Sequence, residues 1–365
     1  MQLSDIIQAR IQKKGPISFH DFMEMSLYYP KLGYYTSAGE KIGIEGDYYT
    51  SPNLTPLFGT MIARQLIEMW EATGKEQFTV VEYGAGTGKL CHDILDYLKK
   101  NPDFYNKLNY FIIEKSPAMR EKERDFLHEN VMWCKNIEDI PEITGCVLSN
   151  ELVDNFAVHK VVMDDELMEV YVGYENGFYE VLRPASKELK KYLNELDVAL
   201  PKGFQTEINL QATQWITKIA RSIKKGYVIT IDYGYTSAEL YKPERQAGTL
   251  LCYTKHSLNE HPYENIGYQD ITSHVNFSAL CYWGLKSRLE CCGLTSQANF
   301  LLALDFKKYL RESLEPKEDL IKTIEKEALL TQSLILDLGM KLKVLIQKKG
   351  AVKSNLQGLR NGANA

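Results

Sequence analysis

The stretch from Phe78 to Leu98, FTVVEYGAGTGKLCHDILDYL, constrains this chain more than any other. Val80 and Val81 are β-branched and unbroken by polar residues, the pattern of a strand covered on both faces. Gly84, Gly86 and Gly88 follow, alternating with Ala85 and Thr87. Glycine tolerates positive φ and lets a ligand come against bare main chain. Leu90, Ile94, Tyr97 and Leu98 then fall on one helical face. The spacing predicts strand, tight turn and helix, with the unpaired N–H groups of the helix start offered to a ligand.

Three nucleotide-type readings compete with an ordinary strand–helix turn. A P-loop needs a glycine five residues before the Gly-Lys pair and a Ser or Thr after it. Tyr83 stands at the first position and Leu90 at the second, so the P-loop fails. A dinucleotide fingerprint is G-x-G-x-x-G. Here the turn is G-x-G-x-G, with Glu82 two residues before the first glycine. That spacing suits a nucleoside with a short amino-acid tail better than a pyrophosphate. The next apolar run, Asn109 to Glu114 (NYFIIE), ends in an acid before Ser116-Pro117 opens a helix. An acid there can accept both ribose hydroxyls, or can merely favour a helix start. Turn and acid together favour the nucleoside.

At 365 residues the chain can hold one large α/β domain with additions, or two domains. A net charge of −5 argues against nucleic acid as a partner. No apolar run approaches the ~20 residues that span a bilayer, so no membrane association is expected. The N-terminus resembles neither a signal peptide nor a mitochondrial presequence, which predicts a cytoplasmic location. Seven scattered cysteines without a C-x-x-C pair predict reduced thiols and no metal.

Residues 1–75 read as an N-terminal helical and loop cap. Short helices are expected at Ile6–Ile11 and from a Ser18 cap through Leu27, then a long aromatic loop, then a helix from Leu57 to Trp70. Residues 76–155 read as the first half of an α/β unit, with strands near Thr79–Tyr83, Tyr110–Glu114, Val131–Trp133 and Cys146–Ser149. Residues 156–205 alternate apolar and polar, an inserted antiparallel meander followed by a helix. Residues 206–350 supply the second half, with a strand at Lys225–Gly234, an amphipathic helix Phe277–Cys292 stopped by Gly293, and a closing strand Lys341–Lys348 at the sheet edge. Residues 351–365 read as a flexible tail.

GDYYTSP, EYGAGTGKL, SNELVDNFAVH, ITIDYGY and GYQDITSHVNFSAL, in this order, resemble the MidA family of S-adenosylmethionine-dependent methyltransferases. The resemblance runs from about Phe19 to Lys348. It implies a seven-stranded Rossmann-like class I methyltransferase core with an N-terminal cap and an inserted antiparallel β element. It also implies S-adenosyl-L-methionine as cofactor, with Gly84, Gly86 and Gly88 around its methionine part, Glu82 nearby and Glu114 on the ribose. Asn150 and Glu151 would lie beside the sulfonium. The loop Gly46–Pro52 would fold over the cofactor, with Thr50 and Ser51 in hydrogen-bonding reach. Asn53 stands where the family usually has Glu. The family includes a mitochondrial complex I assembly factor that methylates an arginine, which implies a protein substrate, a respiratory-complex subunit among the options.

A guanidinium is a poor nucleophile, and a paired carboxylate can hold it and localise its charge. Glu151 and Asp154 past a strand end are the expected catalytic pair, unless Glu151 binds only the cofactor or a backbone amide. Asp270 and His274, four apart, are either substrate or proton-transfer groups or a structural Asp–His pair. His159 reads as structural, the run Tyr28–Tyr35 as a peptide channel or as packing, and Lys317–Lys326 as a solvated face. The rival functions are a non-catalytic cofactor-binding scaffold and an NAD-type oxidoreductase. The edge strand and the insertion make a homodimer an option.

Overall fold

The computed structural model describes residues 2–37, 50–127, 131–254, 257–314 and 320–360. The chain passes back and forth between two compact units. The first holds Met1–Tyr48, Val153–Ile216 and Gly234–Trp283; the second holds Tyr49–Leu152, Thr217–Tyr233 and Gly284–Ala365.

The second unit is built on one sheet. Its strands are β1 Phe78–Tyr83, β2 Leu108–Ile113, β3 Val131–Cys134, β4 Ile143–Asn150, β5 Ile223–Tyr235, β6 Glu290–Ser296 and β7 Leu342–Lys349, in the order β6-β7-β5-β4-β1-β2-β3. β1 to β5 run parallel, and β7 lies antiparallel to both β5 and β6. The closing strand is therefore interior and β6 takes the edge. An eighth strand, Val275–Asn276, pairs in parallel with Gly234–Tyr235, where seven strands were expected. Gly234 permits the approach, because a Cβ there would stand 2.2 Å from the Val275 carbonyl oxygen. Phe58, Ile62, Phe78, Val80, Ile112, Leu148, Ile229 and Phe300 are fully buried in this unit's core. Helix Leu57–Thr73 ends at Gly74 in the left-handed region, as a C-terminal glycine should.

Two expectations fail here. The helix predicted over Phe277–Cys292 stops at Lys286, and Cys291–Cys292 belong to β6. Arg288, at φ 67°, turns the chain, and Gly293 sits beside a register shift in β6 rather than at a helix cap. Residues 351–360 pack instead of fraying: Leu356 is fully buried, and the Gln357 and Gly358 amides donate to Glu68 and Gln65.

In the first unit, helix Phe19–Tyr28 is capped by Ser18, whose hydroxyl accepts the Asp21 amide at 3.1 Å. The meander forms as expected from His159–Met163, Leu167–Tyr174 and Phe178–Pro184, and Ile17–Ser18 and Gln205–Ile208 extend it to a five-stranded antiparallel sheet. Ser257–Asn259, Leu251–Thr254 and Asp270–Thr272 make a three-stranded sheet. Gly234–Trp283 therefore groups with the N-terminal residues and the insertion, not with the later strands. Phe19, Phe22, Tyr34, Val158 and Val172 are buried in this unit. Among the described residues no helix is long and apolar enough to cross a membrane.

Candidate active site

In the second unit the glycine turn lies at the carboxyl end of β1. Gly84, Gly86 and Gly88 adopt φ of 64°, 59° and 77°, conformations that side chains with a Cβ rarely take. The turn is tightly backed. A Cβ on Gly84 would stand 2.7 Å from the Leu152 side chain, and one on Gly88 would meet Leu127 at 3.3 Å. Helix Lys89–Leu98 starts directly from Gly88. Lys89 is drawn to buried Asp93 at 3.2 Å, a bond along its own helix.

Glu82, one residue before the end of β1, is buried beneath the turn. The Tyr110 hydroxyl donates to its Oε2 at 2.7 Å. Burial pushes its carboxyl up to about 7, which the Tyr110 bond only partly offsets. Glu114 follows β2 and is half-buried. Its Oε1 accepts the Ser116 amide at 2.7 Å, while Arg120 donates to its carbonyl oxygen. Burial raises its carboxyl as well, against the pull of that amide and of Arg120.

At the end of β4, Asn150 donates through Nδ2 to Glu151 Oε1 at 3.1 Å. The Asn150 Oδ1 is buried and has no hydrogen-bond partner. Glu151 adopts φ 49°, in the left-handed region that costs a non-glycine residue energy. Its amide is tied to the Ile231 carbonyl on β5 at 2.9 Å, which holds the turn. The Ser51 amide donates to its carboxylate; burial and then nearby Asp232 push that carboxyl up to about 8. Asp232 itself accepts the amides of Leu152 and Tyr233 at 3.2 and 2.9 Å. Ser51 and Gln297 are buried and bond each other. Thr50 Oγ1 accepts from Asn53 Nδ2 at 2.7 Å, so the residue that departs from the family pattern anchors this segment. Residues 46–49 of the expected covering loop lie outside the described residues.

Thus Thr50, Ser51, Glu82, Gly84, Gly86, Gly88, Glu114, Asn150 and Glu151 all belong to the second unit. Asp154 and His274 belong to the first. There, Asp154 is buried and its carbonyl accepts the Ser273 amide at 2.9 Å. Asp270 and His274 do not bond each other. The Asp270 carboxylate accepts from Tyr35 Oη at 2.8 Å and from the Ile271 amide at 2.9 Å. His274 packs its ring edgewise on Tyr235 at 5.1 Å, over which Arg245 stacks at 3.8 Å. Burial, and secondarily Arg245, lower the His274 imidazole to about 4. His159 stacks on His20 and bonds Glu169 at 2.7 Å. Tyr34 of the aromatic run is fully buried, while Tyr28 and Tyr35 stack and reach Asn155 and Asp270.

Sequence reading missed Tyr110, Gln297, Leu152 and Glu123. Tyr110 and Leu152 carried no signal beyond apolar periodicity.

A glycine turn, an acid after the next strand and a polar strand end, all at the carboxyl ends of parallel strands, are the arrangement of a nucleotide-binding α/β fold. Residues 61–295 match the model of a family of S-adenosyl-L-methionine-dependent methyltransferases, and the chain belongs to that family. It is 24% identical to the "Protein arginine methyltransferase NDUFAF7 homolog, mitochondrial" of Drosophila melanogaster, covering 88% of this chain and 80% of the relative. Identity to the Caenorhabditis elegans homolog of the same name is 26%, covering 93% and 85%. The human protein is 25% identical, covering 84% and 75%. A solved methyltransferase-type structure from Burkholderia thailandensis, bound to S-adenosyl-homocysteine, superposes with a TM-score of 0.88 at 29% identity over 99% of this chain and 95% of that one. The chain is an S-adenosylmethionine-dependent methyltransferase. The relatives are named as mitochondrial proteins, which overturns the expected cytoplasmic location.

The residues present fit the cofactor. Three positive-φ glycines leave main chain bare, and Asn150 Oδ1 is a buried acceptor that lacks a protein donor. An ammonium or hydroxyl of the cofactor satisfies such an atom.

Proposed function

We propose that this methyltransferase acts on an arginine side chain of a protein partner, a subunit of a respiratory or other complex. The names of the relatives support arginine as acceptor. We read β1 to β7 as a Rossmann-like seven-stranded core, supported by the strand order and the antiparallel β7, with Val275–Asn276 as an addition.

The observation that carries the chemistry is Glu151, held at φ 49° beyond β4 with Asn150 and the Ser51 amide on its carboxylate. When bound, S-adenosylmethionine supplies a methyl group already activated by its sulfonium. The protein's task is to place a nucleophile in line with it and keep water out. In this reading the glycine turn and Asn150 hold the methionine part, and Glu82 supports the turn from below. Glu114 takes the ribose hydroxyls, and Thr50 and Ser51 close on the site. Glu151 holds the guanidinium by paired hydrogen bonds and draws positive charge away from the attacking nitrogen. An arginine beside Glu151 would lower the carboxyl that burial raises, so acceptor binding favours its ionised form. Asp154 and His274 are retained as proposed acceptor-handling residues of the first unit. The neutral imidazole of His274, with a buried unpartnered Nδ1, has a lone pair for a proton.

The test is methyl transfer from isotopically labelled cofactor to arginine-containing protein, read by mass spectrometry. Glu151→Gln is expected to cut kcat by about 100-fold or more while cofactor Kd stays within about threefold. Wild-type turnover in Glu151→Gln removes the catalytic role.

A further inference from the structure

The helix Pro117–Phe126, PAMREKERDF, is mostly charged, and its one buried residue is an acid, Glu123. A helix packed on a hydrophobic core would place Leu or Ile there. Two observations locate this helix. It starts at Ser116, two residues after Glu114. At its other end, Phe126 and Leu127 lie against the glycine turn, where a Cβ on Gly88 would meet them at 3.5 and 3.3 Å. The helix therefore runs from beside Glu114 to the glycine turn in the second unit. Ser116, Arg120, Glu123 and Leu127 share its inward face.

Glu123 is fully buried. Trp133 on β3 donates from its indole N–H to Oε2 at 2.8 Å and fixes the carboxyl. The other oxygen, Oε1, is buried without a hydrogen-bond partner. Glu114 and Glu82 both act on this carboxyl and, with burial foremost, push it up to about 8. A buried acceptor left unpaired is costly, so an acid retained there beside Glu114 calls for a donor.

We propose that Glu123 is a third acid of the cofactor site, its Oε1 accepting a hydrogen bond from the nucleoside of S-adenosylmethionine. This rests on the placement of the nucleoside at Glu114. The donor is either a ribose hydroxyl or the adenine amino group. Trp133 holds Glu123 over β3, the strand outside that of Glu114, which favours the amino group as donor.

The experiment is calorimetric titration of S-adenosyl-homocysteine, its 2′-deoxy form and its 6-deamino form against wild type and Glu123→Leu. Glu123→Gln and Glu114→Gln complete the set, and the unliganded Tm of each variant reports folding. Wild type is expected to bind S-adenosyl-homocysteine about tenfold more tightly than Glu123→Leu does, with Glu123→Gln between. The 6-deamino form should bind wild type about tenfold more weakly and Glu123→Leu no more weakly than the parent ligand. If the 2′-deoxy form shows that pattern instead, the carboxyl reads the ribose, and the proposal stands with the other donor. If a folded Glu123→Leu binds all three ligands as wild type does, Glu123 is only the structural partner of Trp133 and the proposal is overturned. Should Glu123→Leu fail to fold, the two analogue losses measured on Glu123→Gln decide in the same way. Unchanged binding in Glu114→Gln, with Glu123→Leu weakened, would sink the ribose placement while leaving Glu123 in the site.

Discussion

Glu82 is a carboxylate that the fold buries before any substrate arrives. Its carboxyl is raised from 4.5 to about 7. Below pH 4.5 both folded and unfolded chains hold the proton. As pH rises towards 7 the unfolded chain has already released it while the folded chain still binds it, so stability is lost across that window, by up to about 3 kcal/mol. Glu82→Gln carries no proton to lose and can still accept from Tyr110. Its Tm relative to wild type should therefore climb between pH 4.5 and pH 8. A difference that stays constant over that range contradicts the burial account. His274 works in the opposite sense: its lowered pKa makes stability fall as pH drops from 6.5 towards 4. Reading Tm differences between variant and wild type keeps the two apart. The sequence made Glu82, Glu114 and Glu151 visible because each stands at a strand end, beside the glycine turn, before the Ser116-Pro117 helix start and after Asn150 respectively. Glu123 stayed hidden because a glutamate in a charged helix looks solvated until the fold shows which face is inward.

Among elements, the parallel strands approach more closely at one level than ordinary side chains allow. Gly145 on β4 adopts φ 157°, and a Cβ there would lie 1.9 Å from the Thr79 carbonyl oxygen on β1. Gly145→Ala should thus cost more than about 3 kcal/mol and leave the protein largely insoluble. Soluble Gly145→Ala with a wild-type Tm in calorimetry would show that the strands can part there. The C-terminal segment gives a second element-scale prediction. Ending the chain after Gly350 removes buried Leu356 and the amide bonds to Glu68 and Gln65. The loss should be about 2–4 kcal/mol, seen as a lowered denaturation midpoint in urea. An unchanged midpoint would mean that the segment is a passenger. Strand β1, the glycine turn and the meander were legible because their periodicity is pure. Helix Phe277–Lys286 and β6 were not separable, since LECCGL is apolar enough to continue a helix and the bend at Arg288 leaves no Gly or Pro.

For the whole molecule, the chain builds two units by passing between them, so its five sequence segments do not map onto contiguous bodies. Nothing in the sequence marks that Gly234–Trp283 joins residues from the N-terminal region. A nucleoside ligand, by contrast, followed from one turn and one acid; the methyltransferase class and its cofactor came from the resemblance of several motifs, and the family match over residues 61–295 agrees. The central claim is that this turn holds S-adenosylmethionine. Calorimetric titration of S-adenosylmethionine and NADH against wild type and Gly86→Val tests it most directly. Gly86 sits at φ 59°, where valine is strongly disfavoured, so the variant should lose the cofactor. Wild type is expected to bind S-adenosylmethionine, Gly86→Val to lose it, and neither to bind NADH. Undiminished S-adenosylmethionine binding by Gly86→Val, or binding of NADH to wild type, would contradict it.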